Sequence, residues 1–441
     1  MHFATACATA AVGLAYAHAV HLVVPPGALR LVCFAPCVAA NALLPVVYMD
    51  PLGEDSSVVA CAVAAAAFGW WTNFKLLALA SGRGQLVGHA SLPMFLAVGA
   101  LPIRLDPPQP EPESARRERR RDDDRDDDPS PSPPPSPSPS PHSHRSAAMS
   151  ALALLAGKLC LLAACLELIP RLPPGATPAN LAYAFALYAT LGAIMDASAA
   201  VAAFAFGLRL APHFDKPFIA SSASDFWARR WNLVAGGMLR DLVYAPIVGL
   251  PPTEKRKNAD AAPAPAKPSG ADDDAPTREE GAPATLSARP SPPPRPSPAR
   301  RAVACFACFA ASGLAHEAIL WYLNGGGFSF AVGFGPAGAR AVSPGAASVD
   351  GRWFWFFFAQ APLVLIERWP PFRRLARRTP TVAAVACALG TQVALGNALF
   401  FPPVAESGLD RRVVDDLTRR LRGVRATLST LSTLSTLSPG G

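Results

Sequence analysis

The sequence predicts an all-α protein that crosses the lipid bilayer with eight or nine helices. Of its 441 residues, 51% are hydrophobic and only 16% are charged, whereas a soluble domain carries about 25% charged residues. The charge is unevenly placed, because the stretches 106–146 and 251–300 contain 17 of the 32 acidic residues and 25 of the 48 prolines. The remaining chain is apolar enough to be buried mostly against lipid, which excludes an ordinary soluble enzyme, a disordered protein and a small disulfide scaffold.

Nine apolar runs approach the ~20 residues that a helix needs to cross a bilayer. The run at 86–104 contains Pro93, which favours a broken or re-entrant segment. The run at 353–368 is short, but it opens with a row of aromatic residues that is typical of an interfacial belt. The first run has no basic start and is followed at once by a second, so we interpret it as a true span and not as a cleaved signal. The predicted spans are 4–24, 28–48, 57–80, 86–104, 147–170, 180–208, 302–324, 353–368 and 380–402.

Two polar inserts divide these spans into three groups. Both are rich in proline and charge, and such segments cannot offset the entropy of ordering by burial, so we predict solvated linkers. Valines and leucines of the tail fall on one helical face with arginines opposite, which fits an interfacial amphipathic helix and a short solvated helix equally well. The predicted organisation is helices at 1–105, a linker at 106–146, helices at 147–250, a linker at 251–300, helices at 301–402 and a tail at 403–441.

The charge and the cysteines indicate neither nucleic acid nor metal. The formal net charge is +8, but the arginines are scattered, so we expect no nucleic-acid partner. Cys305 and Cys308 are spaced like half of a metal or redox motif, yet no second pair accompanies them, and we predict no metal site. The arginines just before 302 and at 373–378 predict cytosolic loops, which would put the arginine-rich tail on the opposite side.

Two ionisable residues lie centrally in predicted spans. Burying such residues in a bilayer costs free energy, so they are candidates for a functional role. Lys158 is in the fifth span and Asp196 in the sixth. They are placed to pair across neighbouring helices. The pair would either fix the packing of the helices or, in a transporter, form part of an ion path.

A third ionisable residue, His316, lies in the seventh span. A histidine there can take a proton from a hydroxyl nucleophile, and the alternative is a structural histidine bonded to a backbone carbonyl. The adjacent Glu317 points about 100° away on a helix and cannot itself orient His316. Gly313 and Ala315 leave room for another helix or an acyl chain to approach.

The segment 225–232 combines aromatic, cationic and amide groups without a lasting apolar stripe. Arg229 and Arg230 have the planar forks that bind phosphate. The two tryptophans are four residues apart and would share a helix face as interfacial anchors. Asn232 is able to donate hydrogen bonds to a carbonyl or an oxyanion. The alternative is a juxtamembrane amphipathic helix with snorkelling arginines.

In this order the motifs resemble those of the plant wax synthases, which are long-chain-alcohol O-fatty-acyltransferases of the membrane-bound O-acyltransferase (MBOAT) superfamily. The stretches that carry the resemblance are 224–232, the histidine motif at 312–317, and 71–77 followed by Gly82 and Gly84. The sequence departs from the family at position 228, where an alanine stands in place of the more frequent glycine. The resemblance places a wax synthase domain at roughly 180–370.

The resemblance implies an enzyme of the endoplasmic reticulum membrane that transfers a fatty acyl group from acyl-CoA to a long-chain fatty alcohol, with a sterol or a diacylglycerol as the alternative acceptor. It implies no cofactor, because acyl-CoA is a substrate, and its partners are the two substrates and the lipid bilayer. His316 is expected to be the catalytic histidine, and Asn232 the second polar residue of the active site. The residues expected to bind substrate are Asp225, Trp227, Arg229, Arg230 and Trp231.

Overall fold

The computed structural model describes residues 2–53, 56–106, 141–253, 296–325 and 351–436. These residues are helical apart from turns, loops and one isolated antiparallel bridge between Leu105 and Leu210, which confirms the predicted all-α fold. The first helices are α1 (His2–Val23), α2 (Ala28–Tyr48), α3 (Val58–Ala80), α4 (Leu92–Ala100), α5 (Pro141–Leu168) and α6 (Thr177–Phe206). The remainder are α7 (Ala223–Asp225), α8 (233–248), α9 (Pro298–Leu323), α10 (Arg352–Ile366), α11 (Pro370–Arg378), α12 (Thr381–Glu406) and α13 (Leu409–Thr436).

Several helices contain a stretch of π-helix, in which the backbone hydrogen bonds span one residue more than in an α-helix. Such stretches are rare and occur frequently at functional sites. The stretches are Ala65–Thr72 in α3, Phe226–Arg230 continuing α7, Arg240–Tyr244 in α8 and Gly396–Phe400 in α12. The first two contain Trp70 and Trp227, which both line the site described below.

Seven of the described helices are long and apolar enough to cross a membrane, which confirms a polytopic membrane protein. Two of the nine predicted spans form shorter helices in the part of the chain that the structure describes. The run at 86–104 forms only α4, because left-handed glycines, including Gly84 and Gly88, turn the chain before it and extended Leu101 ends it. The aromatic run forms α10, which is also shorter than a full span.

Lys75, which lies in the motif at 71–77, fixes the short helix α4 inside the bundle. Lys75 is 4% exposed, and its Nζ donates to the carbonyls of Val98 (2.7 Å) and Leu101 (2.6 Å) at the end of α4. The last carbonyls of a helix have no partner within it, and a cation there also complements the helix dipole. Lys75 therefore stabilises a helix end that would otherwise be unsatisfied in an apolar core.

The predicted pairing of Lys158 with Asp196 is confirmed. The two side chains form a buried ion pair between α5 and α6, and Nδ1 of His213 lies 3.7 Å from the second carboxylate oxygen. Gly192 makes space for the lysine, since a Cβ at that position would lie 2.5 Å from its Cδ. The pair joins the two helices about two-thirds of the way along each.

The C-terminal helix α13 packs its apolar face against protein, a partner that neither prediction for the tail included. Leu417 is buried, and Val413 and Leu421 pack with it against Leu162 of α5 and Ala186 of α6. Arg412 donates to the carbonyl of Leu323 (3.1 Å), which places the start of α13 at the end of α9 opposite Arg300 and Arg301.

The two predicted linkers lie largely outside the described residues. Of their described edges, 141–146 and 298–300 are helical, whereas 106, 251–252 and 296–297 are not. α5 begins at Pro141 and α9 at Pro298, so each helix extends a few residues into the predicted linker before it. Ser297 caps α9 by accepting from the backbone N–H of Arg300 at 3.2 Å.

Candidate active site

His316 lies on α9, about two turns before the helix ends at Leu323. Its Nδ1 is 2.7 Å from the carbonyl oxygen of Ser312, one turn earlier. A carbonyl only accepts, so Nδ1 carries the hydrogen and Nε2 of the neutral ring keeps its lone pair. His316 therefore makes the backbone hydrogen bond that is expected of a structural histidine. Its second ring nitrogen is still able to accept a proton.

Aromatic rings enclose the imidazole. Phe357 of α10 stacks on it with ring centroids 3.9 Å apart, Trp70 of α3 meets it edge to face at 4.8 Å, and Trp353 approaches to 6.1 Å. Trp70 is 5% exposed, and among the described residues its buried Nε1 has no hydrogen-bond partner. The site is therefore poor in water, which suits a reaction that must avoid hydrolysis.

The segment that contains the two arginines begins as a capped helix. The Ser222 hydroxyl accepts from the N–H of Asp225 (3.0 Å). Glu367, which follows α10, accepts from the N–H groups of Ala223 (2.5 Å) and Ser224 (2.9 Å). These contacts satisfy the first N–H groups of α7 and fix the segment to α10.

Asp225 holds both arginines and is 4% exposed. Its oxygens accept from Nε of Arg229 (3.0 Å), from Nε of Arg230 (2.8 Å) and from the N–H of Ser221 (3.1 Å). Burial raises the pKa of Asp225, but the Arg230 and Ser221 hydrogen bonds and the two positive charges outweigh it, so the pKa lies below its usual range. The carboxylate is thus occupied by the protein, and it aligns the arginines that the sequence predicts to bind substrate.

The two arginines differ in accessibility. The Arg229 side chain is 72% exposed, whereas that of Arg230 is 21% exposed and also donates through Nη1 to the carbonyl of Asp215 at 3.2 Å. Arg229 is therefore the freer of the two to bind an anion. Arg230 has a structural role through its bonds to Asp225 and to the backbone of Asp215.

The expectation that Trp227 and Trp231 share a helix face is wrong. The π-helical turn ends at Arg230, and Trp231 has an extended backbone. Trp231 stacks on Phe226 at 5.4 Å, while Trp227 points its ring towards Phe357 at 5.7 Å. A four-residue spacing places side chains on one face only in a continuous α-helix.

Trp227 belongs to a buried polar network that sequence reasoning missed. Its Nε1 donates to Oε1 of Gln360 (2.9 Å), which also accepts from Gln392 (3.0 Å), and Gln360 is 0% exposed. A glutamine inside an apolar run is a visible sequence signal, but its partners are distant in sequence. The indole nitrogen of Trp227 is therefore used by the protein.

Asn232 caps α8. Its Oδ1 accepts from the N–H of Ala235 at 3.2 Å, and its backbone is left-handed with φ 40° and ψ 62°, which asparagine tolerates better than most residues. Hydrogen bonds between His213 and Leu233 (2.8 Å) and between Asp215 and Arg230 (2.9 Å) hold the chain on both sides. No described contact uses the Asn232 Nδ2 amide, which is left to donate.

Helices α8 and α9 run antiparallel. Near one end, a Cβ on Gly249 would lie 3.6 Å from Nη1 of Arg300. Further along, the Cys308 thiol donates to the carbonyl of Leu239 at 3.7 Å. The same contact shows that Cys308, one of the two cysteines spaced like half of a metal or redox motif, packs inside the helix pair.

This arrangement brings Asn232 and His316 to the same level. Asn232 lies seven residues before Leu239 and His316 eight residues after Cys308. At 1.5 Å per residue, both are ~10–12 Å from that hydrogen bond in the same direction. Trp70 packs in one cluster with Val234 and Ala235 of α8 and Ala315 of α9, and its ring contacts His316.

Comparison with known proteins confirms the resemblance that the motifs indicate. The chain is 31% identical over 244 residues to acyl-CoA–sterol O-acyltransferase 1 of Arabidopsis thaliana, which covers 54% of this chain and 60% of that protein. It is 27% identical over 242 residues to probable long-chain-alcohol O-fatty-acyltransferase 1 of the same plant, again over 54% and 60%. A shorter match of 65 residues, 40% identical, links 15% of the chain to 18% of the long-chain-alcohol O-fatty-acyltransferase of Simmondsia chinensis.

The matches cover only part of each relative, since the chain spans about 60% of the length of the two long matches. No protein-family model matches the chain. All three relatives carry O-acyltransferase names. The similarity therefore agrees with the site geometry at the level of a membrane-embedded O-acyltransferase.

Proposed function

We propose that this protein is a membrane acyltransferase that moves a fatty acyl group from acyl-CoA to a long-chain fatty alcohol and forms a wax ester. The observation that best supports this proposal is the setting of His316. Its Nε2 lone pair lies among aromatic rings, at the level of Asn232 along the helix pair. The transfer needs a base for the alcohol, a donor for the carbonyl charge and a site from which water is excluded. One constellation of side chains offers all three.

In the proposed reaction, Nε2 of His316 takes the proton of the alcohol hydroxyl as the oxygen attacks the thioester carbonyl. The carbonyl oxygen gains the negative charge, and the Nδ2 amide of Asn232 donates to it. When the tetrahedral intermediate collapses, the carbon–sulfur bond breaks and the coenzyme A thiolate takes the proton back from His316. Ester and free coenzyme A leave, and no acyl-enzyme intermediate is required.

The arginines serve the donor substrate in this proposal. Arg229 presents an exposed guanidinium, and Asp225 fixes its position by accepting from Nε. A planar fork of this kind binds phosphate oxygens in pairs. We assign Arg229, assisted by Arg230, to the phosphates of coenzyme A.

A sterol acceptor is the second candidate, because one of the longest matches is to a protein named as a sterol acyltransferase. Both acceptors offer a hydroxyl to His316, so the same mechanism applies. A proton path through Lys158 and Asp196 to His316 is less well supported, since the rings around His316 are aromatic and the lysine and aspartate satisfy each other.

The test is ester formation by membranes that contain the protein, with labelled acyl-CoA and a panel of fatty alcohols, a sterol and a diacylglycerol. His316→Ala is expected to lose on the order of 10² to 10⁴ in rate at normal protein level. His316→Gln keeps hydrogen bonding but cannot accept the proton, so it should be nearly as inactive. Near-normal turnover by His316→Gln would remove the histidine from the mechanism.

Two further measurements complete the test. Asn232→Ala is expected to lose about 10²- to 10³-fold, because one oxyanion donor contributes about 3–4 kcal/mol, so its loss should not exceed that of His316→Ala. The seven apolar helices place the protein in a membrane, and we propose the endoplasmic reticulum. Co-fractionation with markers of that membrane tests the location independently of activity.

A further inference from the structure

We infer that Glu317 orients His316 indirectly, through the neighbouring helix α10, and is a positioning residue of the site. The inference rests on the proposed function. On α9 the two side chains point in different directions, so they cannot form a direct pair. The route runs instead from Glu317 to Phe354, along α10 to Phe357, and back to the imidazole.

The first step is a cap supplied by another helix. The N-cap residue of α10 is Gly351, which has no side chain to accept from the first N–H groups. Oε1 of Glu317 accepts from the backbone N–H of Phe354 at 2.9 Å, and Glu317 is 9% exposed. A carboxylate at this position satisfies a buried donor and also complements the helix dipole.

The second step is close packing of the two backbones. A Cβ on Gly313, one turn before Glu317, would lie 2.9 Å from the carbonyl oxygen of Phe354 and 3.0 Å from its Cα. Only glycine allows this approach. Gly313 and Glu317 thus hold the same residue of α10, one by shape and the other by a hydrogen bond.

The third step links the position of α10 to the position of the imidazole. Phe357 follows Phe354 by three residues and lies on the same side of α10. It is 4% exposed and stacks on His316 at 3.9 Å with an interplanar angle of 23°. Because Ser312 holds Nδ1 and Phe357 covers one face of the ring, Nε2 has a fixed direction.

Loss of the Glu317 carboxylate should therefore loosen the first turn of α10 and uncover the ring. A displacement of about 1 Å in a reacting group costs as much as ~10²-fold in rate. We expect Glu317→Ala to lower kcat by about 10- to 100-fold while the KM values for both substrates change less than about twofold. Glu317→Gln keeps the acceptor oxygen and is expected to restore most of kcat.

The experiment compares Glu317→Ala and Glu317→Gln with Glu406→Ala as a matched control. Glu406 also bonds the first turn of α10, through Arg352, but it is 58% exposed, and exposed ion pairs contribute little. Phe357→Leu removes the stack without changing Glu317. Both Glu317→Ala and Phe357→Leu should show the kcat defect, and the double variant should be no worse than either.

A second readout does not depend on catalysis. Carbethoxylation of His316 by diethyl pyrocarbonate, followed by mass spectrometry, reports how well the ring is covered. The rate should rise in Glu317→Ala and Phe357→Leu and stay at the wild-type value in Glu317→Gln and Glu406→Ala. An unchanged modification rate in Glu317→Ala overturns the inference. A wild type without ester formation would instead overturn the proposed function, and the modification rates would still decide the positioning role.

Discussion

Two buried polar clusters among the membrane helices differ in how their hydrogen-bonding capacity is used. Between α5 and α6, Lys158 and Asp196 form an ion pair, with His213 beside the carboxylate. Between α9 and α10, His316 has no charged side chain bonded to it in the described residues. It bonds to the backbone of Ser312 and is otherwise surrounded by rings.

The cluster around Lys158 and Asp196 is structural, whereas the cluster around His316 is suited to catalysis. The charges of Lys158 and Asp196 satisfy each other and fix two helices, while the buried Nε2 of the neighbouring His213 has no hydrogen-bond partner among the described residues. A neutral imidazole with one free lone pair can still accept a proton. Both clusters require a glycine opposite the critical group, Gly192 for the lysine side chain and Gly313 for the backbone of α10. The following predictions test whether this division holds.

The largest effect on stability is expected at the ion pair. Lys158→Met leaves the carboxylate of Asp196 buried without its cation, which should cost about 3–5 kcal/mol. The double variant Lys158→Met/Asp196→Leu should recover much of that loss, because an apolar pair of similar volume replaces the charges. Thermal unfolding in detergent micelles measures both.

Activity of the same double variant sharpens the comparison. If the pair is structural, the folded double variant should still form ester at a rate near that of the wild type. A double variant that is stable but inactive would show that the pair takes part in chemistry, and the division between the clusters would fail.

A smaller loss is expected at the glycine between α9 and α10. Gly313→Ala places a Cβ against the backbone of Phe354, which cannot move as a flexible side chain can. Overpacking of this kind costs about 1–3 kcal/mol, and we expect reduced accumulation and reduced kcat. Gly157→Ala on α5 is the matched control, since nothing lies within 4 Å of its Cβ. Equal behaviour of the two variants in accumulation and kcat would contradict the proposed close contact.

The arginines should affect substrate affinity more than stability. Arg229→Ala is expected to raise the apparent KM for acyl-CoA several-fold and to leave the KM for alcohol almost unchanged, with partial rescue by lysine. Arg230→Ala should also lower protein accumulation, because Arg230 bonds both Asp225 and the backbone of Asp215. An unchanged dependence on acyl-CoA concentration in a well-expressed double variant would make both arginines packing residues.

The sequence was sufficient where the physical signal is local. Long apolar runs show which segments can span a bilayer, and an isolated charge in such a run must find a partner, so the pairing of Lys158 with Asp196 followed from burial alone. The motifs also indicated which polar residues to expect at the site. Asn232 and His316 are separated by a long insert, yet the antiparallel α8 and α9 place them at one level.

Predictions failed where the outcome depends on contacts with distant elements. The four-residue spacing of Trp227 and Trp231 assumed an α-helix, but the backbone forms a π-turn that ends between them. The apolar face of α13 fits protein as well as lipid, and the ends of α5 and α6 cover it. The partner of Glu317 is a backbone N–H on another helix, which no side-chain pattern reveals.

The smallest effect is expected in the two inserts. Their proline-rich, charged composition cannot build a packed core. Replacing 112–140 and 258–294 by Gly/Ser sequences of equal length keeps the start of α5 and the Ser297 cap of α9 intact. Because the replacement sequences have the same length, the entropy of loop closure stays nearly unchanged. Even a doubling of loop length would cost only about 0.6 kcal/mol. Membrane insertion, accumulation and ester formation should stay within about twofold of the wild type. Loss of both accumulation and activity in either replacement would show that an insert contributes specific contacts, and the helices alone would no longer account for the site.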